Sequence, residues 1–115
     1  MKQRWIIVPI DKNAEQALDY NKATEEQLIE SSLTPDEFVL LESLGIFQLI
    51  NEEGSSNIDD YEDDFVSEEE AIKKVIKALR LKEATLDKDL LPLVAKIRTL
   101  FEKALIRGTG VYFYF

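Results

Sequence analysis

The sequence predicts an α+β fold, in which a small sheet containing both terminal strands packs against about four or five helices. Three observations support this. The chain has 115 residues, of which 45% are hydrophobic, enough for the core of one domain. Apolar runs rich in β-branched or aromatic residues lie near both ends. Between them, apolar residues recur at helical spacing behind recognisable helix starts.

The two terminal runs are predicted to be strands. Arg4 to Ile10 is almost entirely apolar and β-branched, as in a buried strand, and Pro9 limits it because proline cannot donate to a ladder. Val111 to Phe115 alternates apolar residues with tyrosine, which predicts one apolar face and one face carrying hydroxyls. We expect these two strands to pair with each other in the centre of the sheet.

Two helices are predicted after the first strand. Residues 13–20 form a short candidate with its small and apolar residues on one side. Thr24 and Gln27 have the spacing of a capping box, in which each side chain bonds the other's backbone N–H. That box predicts a helix that continues to about Ser31.

A stronger helix start and a third strand follow. Thr34 is a capping residue, Pro35 suits the first helical position, and Gly45 is placed to end the helix in a left-handed conformation. The apolar run Ile46 to Ile50 is predicted to be a strand.

The second half is predicted to hold two longer helices. One starts near Ser67 and carries apolar residues at helical spacing as far as Leu79. The other begins near Asp89 and Pro92, has a long apolar seam, and ends at Gly108. With no linker visible, residues 1–115 are expected to form a single globular domain.

The excess negative charge is concentrated between residues 52 and 70. This stretch contains no Lys or Arg and ten carboxylates: Glu52, Glu53, Asp59, Asp60, Glu62, Asp63, Asp64, Glu68, Glu69 and Glu70. The other 96 residues carry 13 acids and 14 bases. Turn-forming residues at 53–57 predict an acidic surface loop over residues 52–66. Charge concentrated in this way attracts basic partners and accelerates their encounter.

Apolar and aromatic residues within the acidic loop suggest a recognition surface, since charge guides a partner and rings supply contact area. The predicted partner-binding residues are Asp59, Asp60, Tyr61, Glu62, Asp63, Asp64 and Phe65. A solvated loop that Tyr61 and Phe65 pin to the core is the alternative. The three glutamates at 68–70 have a local explanation, because negative charge complements a helix N-terminus.

The composition argues against an enzyme. The chain has no Cys and no His, which removes disulfides, thiolate metal sites and Ser-His catalysis. An EF-hand loop starting at Asp59 fails, because Tyr61 and Asp64 stand where a carboxylate and a glycine are required. No cofactor or metal is therefore predicted. The net charge of −9 argues against direct nucleic acid binding, no apolar run is long enough to span a membrane, and a cytoplasmic location is expected.

In general character, the chain resembles the small acidic bacterial immunity proteins, which neutralise co-produced toxins. The resemblance lies in its small size, its lack of Cys and His, and its acidic patch with Ile58, Tyr61 and Phe65. It implies an inhibitor that binds a basic protein, such as a cognate toxin with nuclease activity, and occludes its active site. Two alternatives remain open: a regulatory module that docks basic segments, and an enzyme that uses carboxylates and a metal.

Overall fold

The computed structural model describes residues 3–59 and 63–115 and confirms the α+β class. Its strands form one antiparallel sheet in the order β2-β1-β4-β3. The elements in chain order are β1 (Arg4–Pro9), α1 (Lys12–Asp19), a 3₁₀ turn (Glu25–Gln27), β2 (Leu28–Leu33), α2 (Pro35–Ser43), α3 (Ile46–Gly54), β3 (Asp64–Val66), α4 (Glu69–Glu83), α5 (Leu91–Arg107) and β4 (Val111–Tyr114).

The predicted pairing of the two terminal strands is confirmed. β1 and β4 are antiparallel neighbours at the centre of the sheet, with Trp5 opposite Tyr114 and Ile7 opposite Tyr112. The short strand β3 borders β4, and β2 borders β1 along its whole length. The first and last strands therefore lie in the middle of the sheet, and β2 and β3 form its two edges.

One face of the sheet builds the main core. Ile6 on β1 and Phe113 on β4 are completely buried there. The long helix α5 covers this face and buries Phe101, whose ring centroid lies 6.1 Å from that of Phe113. The alternation in the terminal strands thus places every second side chain against the helices.

The opposite face is only partly covered. It presents Trp5 and Ile7 from β1 and the two tyrosines of β4, and α1 packs over part of it. Asp11 caps α1 by accepting a 2.8 Å hydrogen bond from the Ala14 N–H, and Ala14 is fully buried. As predicted, β4 has an apolar face and a face with hydroxyl groups.

The helix predicted to run to about Ser31 is wrong. The capping box is present, with a 3.0 Å hydrogen bond from the Thr24 N–H to Gln27 Oε1, but it encloses only the 3₁₀ turn. Residues 28–33 instead form β2, which pairs with all six residues of β1. This long-range pairing and the burial of Leu33 on the core face outweigh the local helix signal.

The strand predicted at Ile46–Ile50 is also wrong, because these residues open α3. Gly45 ends α2 with φ of +76°, as predicted, and so redirects the chain. Ile46, Phe47 and Ile50 are all buried, and this spacing also fits one face of a helix. A short apolar run does not distinguish the two structures by itself.

The segment 52–66, predicted to be one surface loop, includes parts of a helix and a strand. Glu52, Glu53 and Gly54 are the last turn of α3, and Asp64–Val66 forms β3. Gly54 is buried against Val66. A Cβ at position 54 would lie 2.9 Å from a Val66 methyl carbon, so only glycine fits this contact without a shift. The described irregular part of the segment is therefore residues 55–59 and 63.

Candidate functional site

Charge is divided unequally between the two parts of the chain. Residues 1–68, here called the acidic half, contain 17 acidic and 4 basic residues, whereas residues 69–115, the basic half, contain 6 acidic and 10 basic residues. No Lys or Arg occurs between Lys22 and Lys73. The acidic half forms β1, β2, β3 and α1–α3, so negative charge extends well beyond the segment 52–70.

Two bases of the acidic half are engaged in local contacts. The Arg4 guanidinium lies over the Phe38 ring, with 3.9 Å from its central carbon to the ring centroid. Lys12 pairs with Glu15 at 3.4 Å. These contacts hold positive charge close to the protein surface.

The first candidate binding feature is a hollow beside β3, which we call the β3 hollow. It has a volume of about 220 Å³ and is lined by Leu18, Asp19, Asn21, Asp63, Asp64, Phe65, Tyr112 and Tyr114. Three carboxylates and three aromatic rings thus share one concave surface, and none of the described residues that line it is a Lys or Arg. That combination suits a guanidinium or ammonium group, because the carboxylates offer charged acceptors and the rings offer π faces.

Aromatic stacking and one hydrogen bond organise the β3 hollow. Phe65, 49% exposed, stacks on Tyr112 with 5.1 Å between ring centroids and 18° between planes. The Tyr112 hydroxyl donates a 2.9 Å hydrogen bond to Glu15 on α1. Burial raises the pKa of Tyr112 well above its usual range, and the Glu15 carboxylate raises it further. The pKa of Tyr114 is also raised, by burial and by the charges of Asp63 and Asp19.

We expect Tyr112→Phe to lower the free energy of unfolding by about 1–2 kcal/mol at neutral pH, because it removes the hydrogen bond to Glu15. In the native protein the protonated Tyr112 hydroxyl contributes its full stability below about pH 10. Because its pKa is raised in the folded state, this contribution is lost as the pH rises through the folded-state pKa. Urea unfolding between about pH 9 and pH 11 should therefore show a shallower loss of stability in the variant.

Tyr20→Phe is the control, since Tyr20 is 67% exposed and its change should stay within about 0.5 kcal/mol. Equal pH slopes for native protein and Tyr112→Phe would contradict the assigned role of Tyr112.

The second candidate feature is a larger groove between α2 and α3, which we call the α2–α3 groove. Its volume is about 500 Å³, and its lining residues are Phe38, Glu42, Phe47, Gln48, Asn51, Glu52, Ser56, Asn57, Ile58 and Asp59. Buried rings and Ile58 form its apolar part, and Glu42, Glu52 and Asp59 supply the charge. The described residues of this lining include no base.

Asn51 determines the shape of this groove. Its Oδ1 accepts hydrogen bonds from the Ile58 N–H at 2.7 Å and the Ser56 hydroxyl at 2.8 Å, while its Nδ2 donates to the Ile58 carbonyl at 2.9 Å. One side chain on α3 therefore satisfies both backbone groups of Ile58 and also binds the Ser56 hydroxyl. Ser55, with φ of +56°, ends α3 and turns the chain so that Ser56 and Ile58 return to the Asn51 side chain.

The structure places the predicted binding residues in two neighbouring sites. Asp59 lines the α2–α3 groove, and Asp63, Asp64 and Phe65 line the β3 hollow. The other predicted residues, Asp60, Tyr61 and Glu62, lie outside the residues that the structure describes.

Two of the predicted binding residues also accept hydrogen bonds from the backbone of other segments. Asp63 Oδ1 accepts the Phe115 N–H at 3.0 Å, which continues the edge of β4. Asp64 Oδ2 accepts the Asn57 N–H at 2.6 Å and so ties β3 to the turn after α3. Replacing either residue would change the fold locally as well as the charge.

Sequence reasoning missed the contribution of residues before position 52. Asp19 and Glu42 line the two sites, although neither belongs to the densest acidic run. The sequence feature that indicates these residues is the lack of any Lys or Arg between Lys22 and Lys73, and not the local density of acids.

The described residues provide neither a metal site nor a membrane span. Within 3–59 and 63–115, no group of three His, Cys, Asp or Glu side chains is placed to hold a metal ion. None of the helices described is long and apolar enough to cross a lipid bilayer.

Much of the charge of the basic half is paired internally. Arg98 on α5 binds Glu83 on α4 through two nitrogens, at 2.6 and 3.1 Å, and Glu102 at 2.9 Å. Arg80 also binds Glu102. The Glu83 hydrogen bond and charge raise the pKa of Arg98. These contacts clamp α4 to α5 and reduce the positive charge available to a partner.

The comparisons identify a protein with this fold. No family model matches the chain, and no curated protein matches it. Among solved structures the fold is shared with a protein of the DNA-mimic class. That structure is the Neisseria DNA mimic protein DMP12, which aligns with a TM-score of 0.65 and 21% sequence identity over 97% of this chain and 99% of the other. At this identity, the similarity establishes a common fold.

This match contradicts the partner predicted from the sequence. That prediction named a basic protein such as a cognate toxin and ruled out direct nucleic acid binding and a membrane. Because the fold is shared with a protein named as a DNA mimic, the exclusion of nucleic acid in that prediction is not supported. A low isoelectric point argues against phosphate contacts, but one protein can carry both acidic and basic surfaces, as this chain does.

Proposed function

We propose that this protein binds a basic DNA-binding protein through its acidic half and occupies the surface which that protein offers to DNA. The observation that supports this proposal most strongly is that no Lys or Arg lies between Lys22 and Lys73, a stretch that covers most of the acidic half. The fold shared with a DNA mimic supports the same function.

The chemistry of DNA recognition explains how such a substitution works. Duplex DNA presents about one negative charge per 1.7 Å of its axis, and its partners meet it with Lys and Arg. Carboxylates accept charge-assisted hydrogen bonds from the same groups. Complementary fields also accelerate the encounter at low salt. The mimic therefore needs no catalysis, because occupancy alone prevents DNA from binding.

The β3 hollow and the α2–α3 groove would provide the local contacts in this complex. Each combines carboxylates with aromatic or apolar surface, so each accommodates the long apolar stem of Arg or Lys together with its charged head. Such contacts with individual Arg or Lys side chains would make binding to this folded protein more specific than binding to an unstructured polyanion.

The role predicted from the sequence, an inhibitor of a basic protein, is retained here in this more specific form. The resemblance to immunity proteins remains a separate prediction, because a DNA-mimic fold does not bear on it.

Competition with DNA tests the proposal. DNA-binding proteins are first collected from an extract of the source cells on immobilised duplex DNA, released with salt, and then presented to this protein on a second resin. We expect a basic protein to be retained and to be eluted by duplex DNA. Retention that DNA does not reverse, or no retention, would overturn the proposal.

The charge requirement is tested by Glu42→Gln with Glu52→Gln, which removes two exposed carboxylates from the α2–α3 groove. Neither makes an ion pair within the described residues, so the fold should persist. We expect the Kd for the retained protein to weaken by up to about tenfold at low salt, and its salt dependence to become shallower.

The matched control is Asp87→Asn with Asp89→Asn, which removes two exposed charges from the turn between α4 and α5 in the basic half. This control should leave the Kd within about twofold. Equal weakening by both pairs would mean that net charge, rather than the acidic half, determines binding.

A further inference from the structure

The outer surface of α4 and α5 carries an apolar groove that the proposed function does not use. It has a volume of about 310 Å³ and is lined by Lys73, Ile76, Lys77, Arg80, Leu81 and Leu105; we call it the α4–α5 groove. Within 3–59 and 63–115, no carboxylate lines it. Leu81 is 65% exposed, and Ile106, which follows Leu105 in α5, is 84% exposed.

This groove has the character of a binding site for an acidic, apolar segment. Its lining combines three aliphatic residues with three basic residues. Arg80 and Lys73 have partners within the same two helices, while Lys77 makes no ion pair among the described residues. An occupant should therefore bring an apolar side chain flanked by carboxylates.

We infer that the occupant is a second copy of this chain, docked through Phe65 and the carboxylates beside it. Phe65 is a half-exposed ring, and Asp63 and Asp64 precede it directly. The two surfaces are complementary in charge and in apolar character.

The fold makes this contact intermolecular. Phe65 lies on the face of the sheet that α1 partly covers, because it stacks on Tyr112, whereas α5 packs against the opposite face. The donor surface and the α4–α5 groove are thus in different layers of one molecule. A complex of two copies still exposes one donor surface and one groove, so the association is head-to-tail and extends into chains.

The association is expected to be weak and regulatory. A single ring in a small groove buries far less than the roughly 1,000 Å² of a stable interface, so self-association requires high concentration. It also covers the β3 hollow, and a basic partner should therefore compete with it. The inference itself does not depend on the proposed function, because self-association is measured with this protein alone.

Sedimentation velocity tests the inference over concentrations from about 10 μM to about 500 μM, at low salt and at about 0.5 M salt. The average mass should rise with concentration at low salt and fall back at high salt. Leu81→Glu should weaken association by about tenfold. Val39→Glu, the same type of change at a 61% exposed position of α2, should leave it unchanged.

A mixing experiment establishes the head-to-tail geometry. Leu81→Glu retains its donor surface and Phe65→Ser retains its groove, so each variant alone should remain monomeric while an equimolar mixture forms a one-to-one complex. Circular dichroism verifies that both variants are folded. Monomers at every concentration, association insensitive to salt or to Leu81→Glu, or a mixture that stays monomeric would each overturn the inference.

Discussion

Phe101→Ala is expected to lower the free energy of unfolding by about 3–5 kcal/mol. Phe101 is completely buried in the middle of α5, and its ring packs against that of Phe113 on the central strand β4. Removing the ring leaves a cavity between the longest helix and the sheet. Interior packing is dense, so the surroundings close such a cavity only in part.

Phe65→Ala is the control for this substitution, since it removes the same atoms at a 49% exposed position. Its cost should be less than half that of Phe101→Ala, because most of its loss is the contact with Tyr112. Urea unfolding monitored by circular dichroism measures both variants. A near-neutral result for Phe101→Ala would show that α5 does not form the core as described.

The two substitutions should also separate stability from binding. Phe101 contacts neither the β3 hollow nor the α2–α3 groove, so folded Phe101→Ala should bind a basic partner with unchanged affinity. Phe65 lines the β3 hollow, and its loss should weaken the complex while leaving most of the stability.

The features of the fold that were predictable from the sequence have local causes. The alternation in Val111 to Phe115 directly encodes two faces of a strand. Gly45 and Gly108 end helices with φ of +76° and +68°, a conformation that favours glycine whatever surrounds it. Such signals depend on a few neighbouring residues and therefore survive folding unchanged.

The incorrect predictions involve segments that distant residues control. Residues 28–33 follow a valid capping box, yet β1 recruits them as its neighbour because pairing satisfies the backbone of both strands. Residues 46–50 form an apolar run that suits a strand or a helix equally, and the buried position between α2 and α4 selects the helix. Neither constraint is visible in the local sequence.

The candidate site shows the same division. Its negative charge was predictable, since it follows from composition along a contiguous stretch. Its two concave surfaces were not, because they join residues far apart in sequence: Asp19 meets Tyr114 at the β3 hollow, and Glu42 faces Asp59 across the α2–α3 groove. A charge pattern predicts the sign of a partner, and only the fold supplies the shape that selects it.

We expect Asn51→Ala to lower the free energy of unfolding by about 2–4 kcal/mol, an effect second only to that of Phe101→Ala. The substitution removes three hydrogen bonds at once, and Ile58, whose N–H and carbonyl both lose a partner, is 2% exposed. Buried backbone groups without partners are costly because water cannot replace them.

Asn51→Asp distinguishes the hydrogen bonds from simple packing. An aspartate keeps the acceptor for the Ile58 N–H and the Ser56 hydroxyl but places a second carboxylate oxygen against the Ile58 carbonyl. Its cost should therefore lie between those of native protein and Asn51→Ala. Gln48→Ala on the same helix is the control, because among the described residues the Gln48 side chain makes one hydrogen bond, an exposed 3.3 Å contact with Glu52. It should change stability by less than about 0.5 kcal/mol.

Asn51 also connects stability with the proposed function. The turn that it holds carries Asn57, which donates to Asp64, and ends at Asp59, so both acidic sites depend on it. Loss of the Asn51 hydrogen bonds should release this turn and weaken binding of a basic partner without any change in net charge. If folded Asn51→Ala bound its partner as tightly as the native protein, net charge would suffice, and the shape of the α2–α3 groove would have no part in recognition.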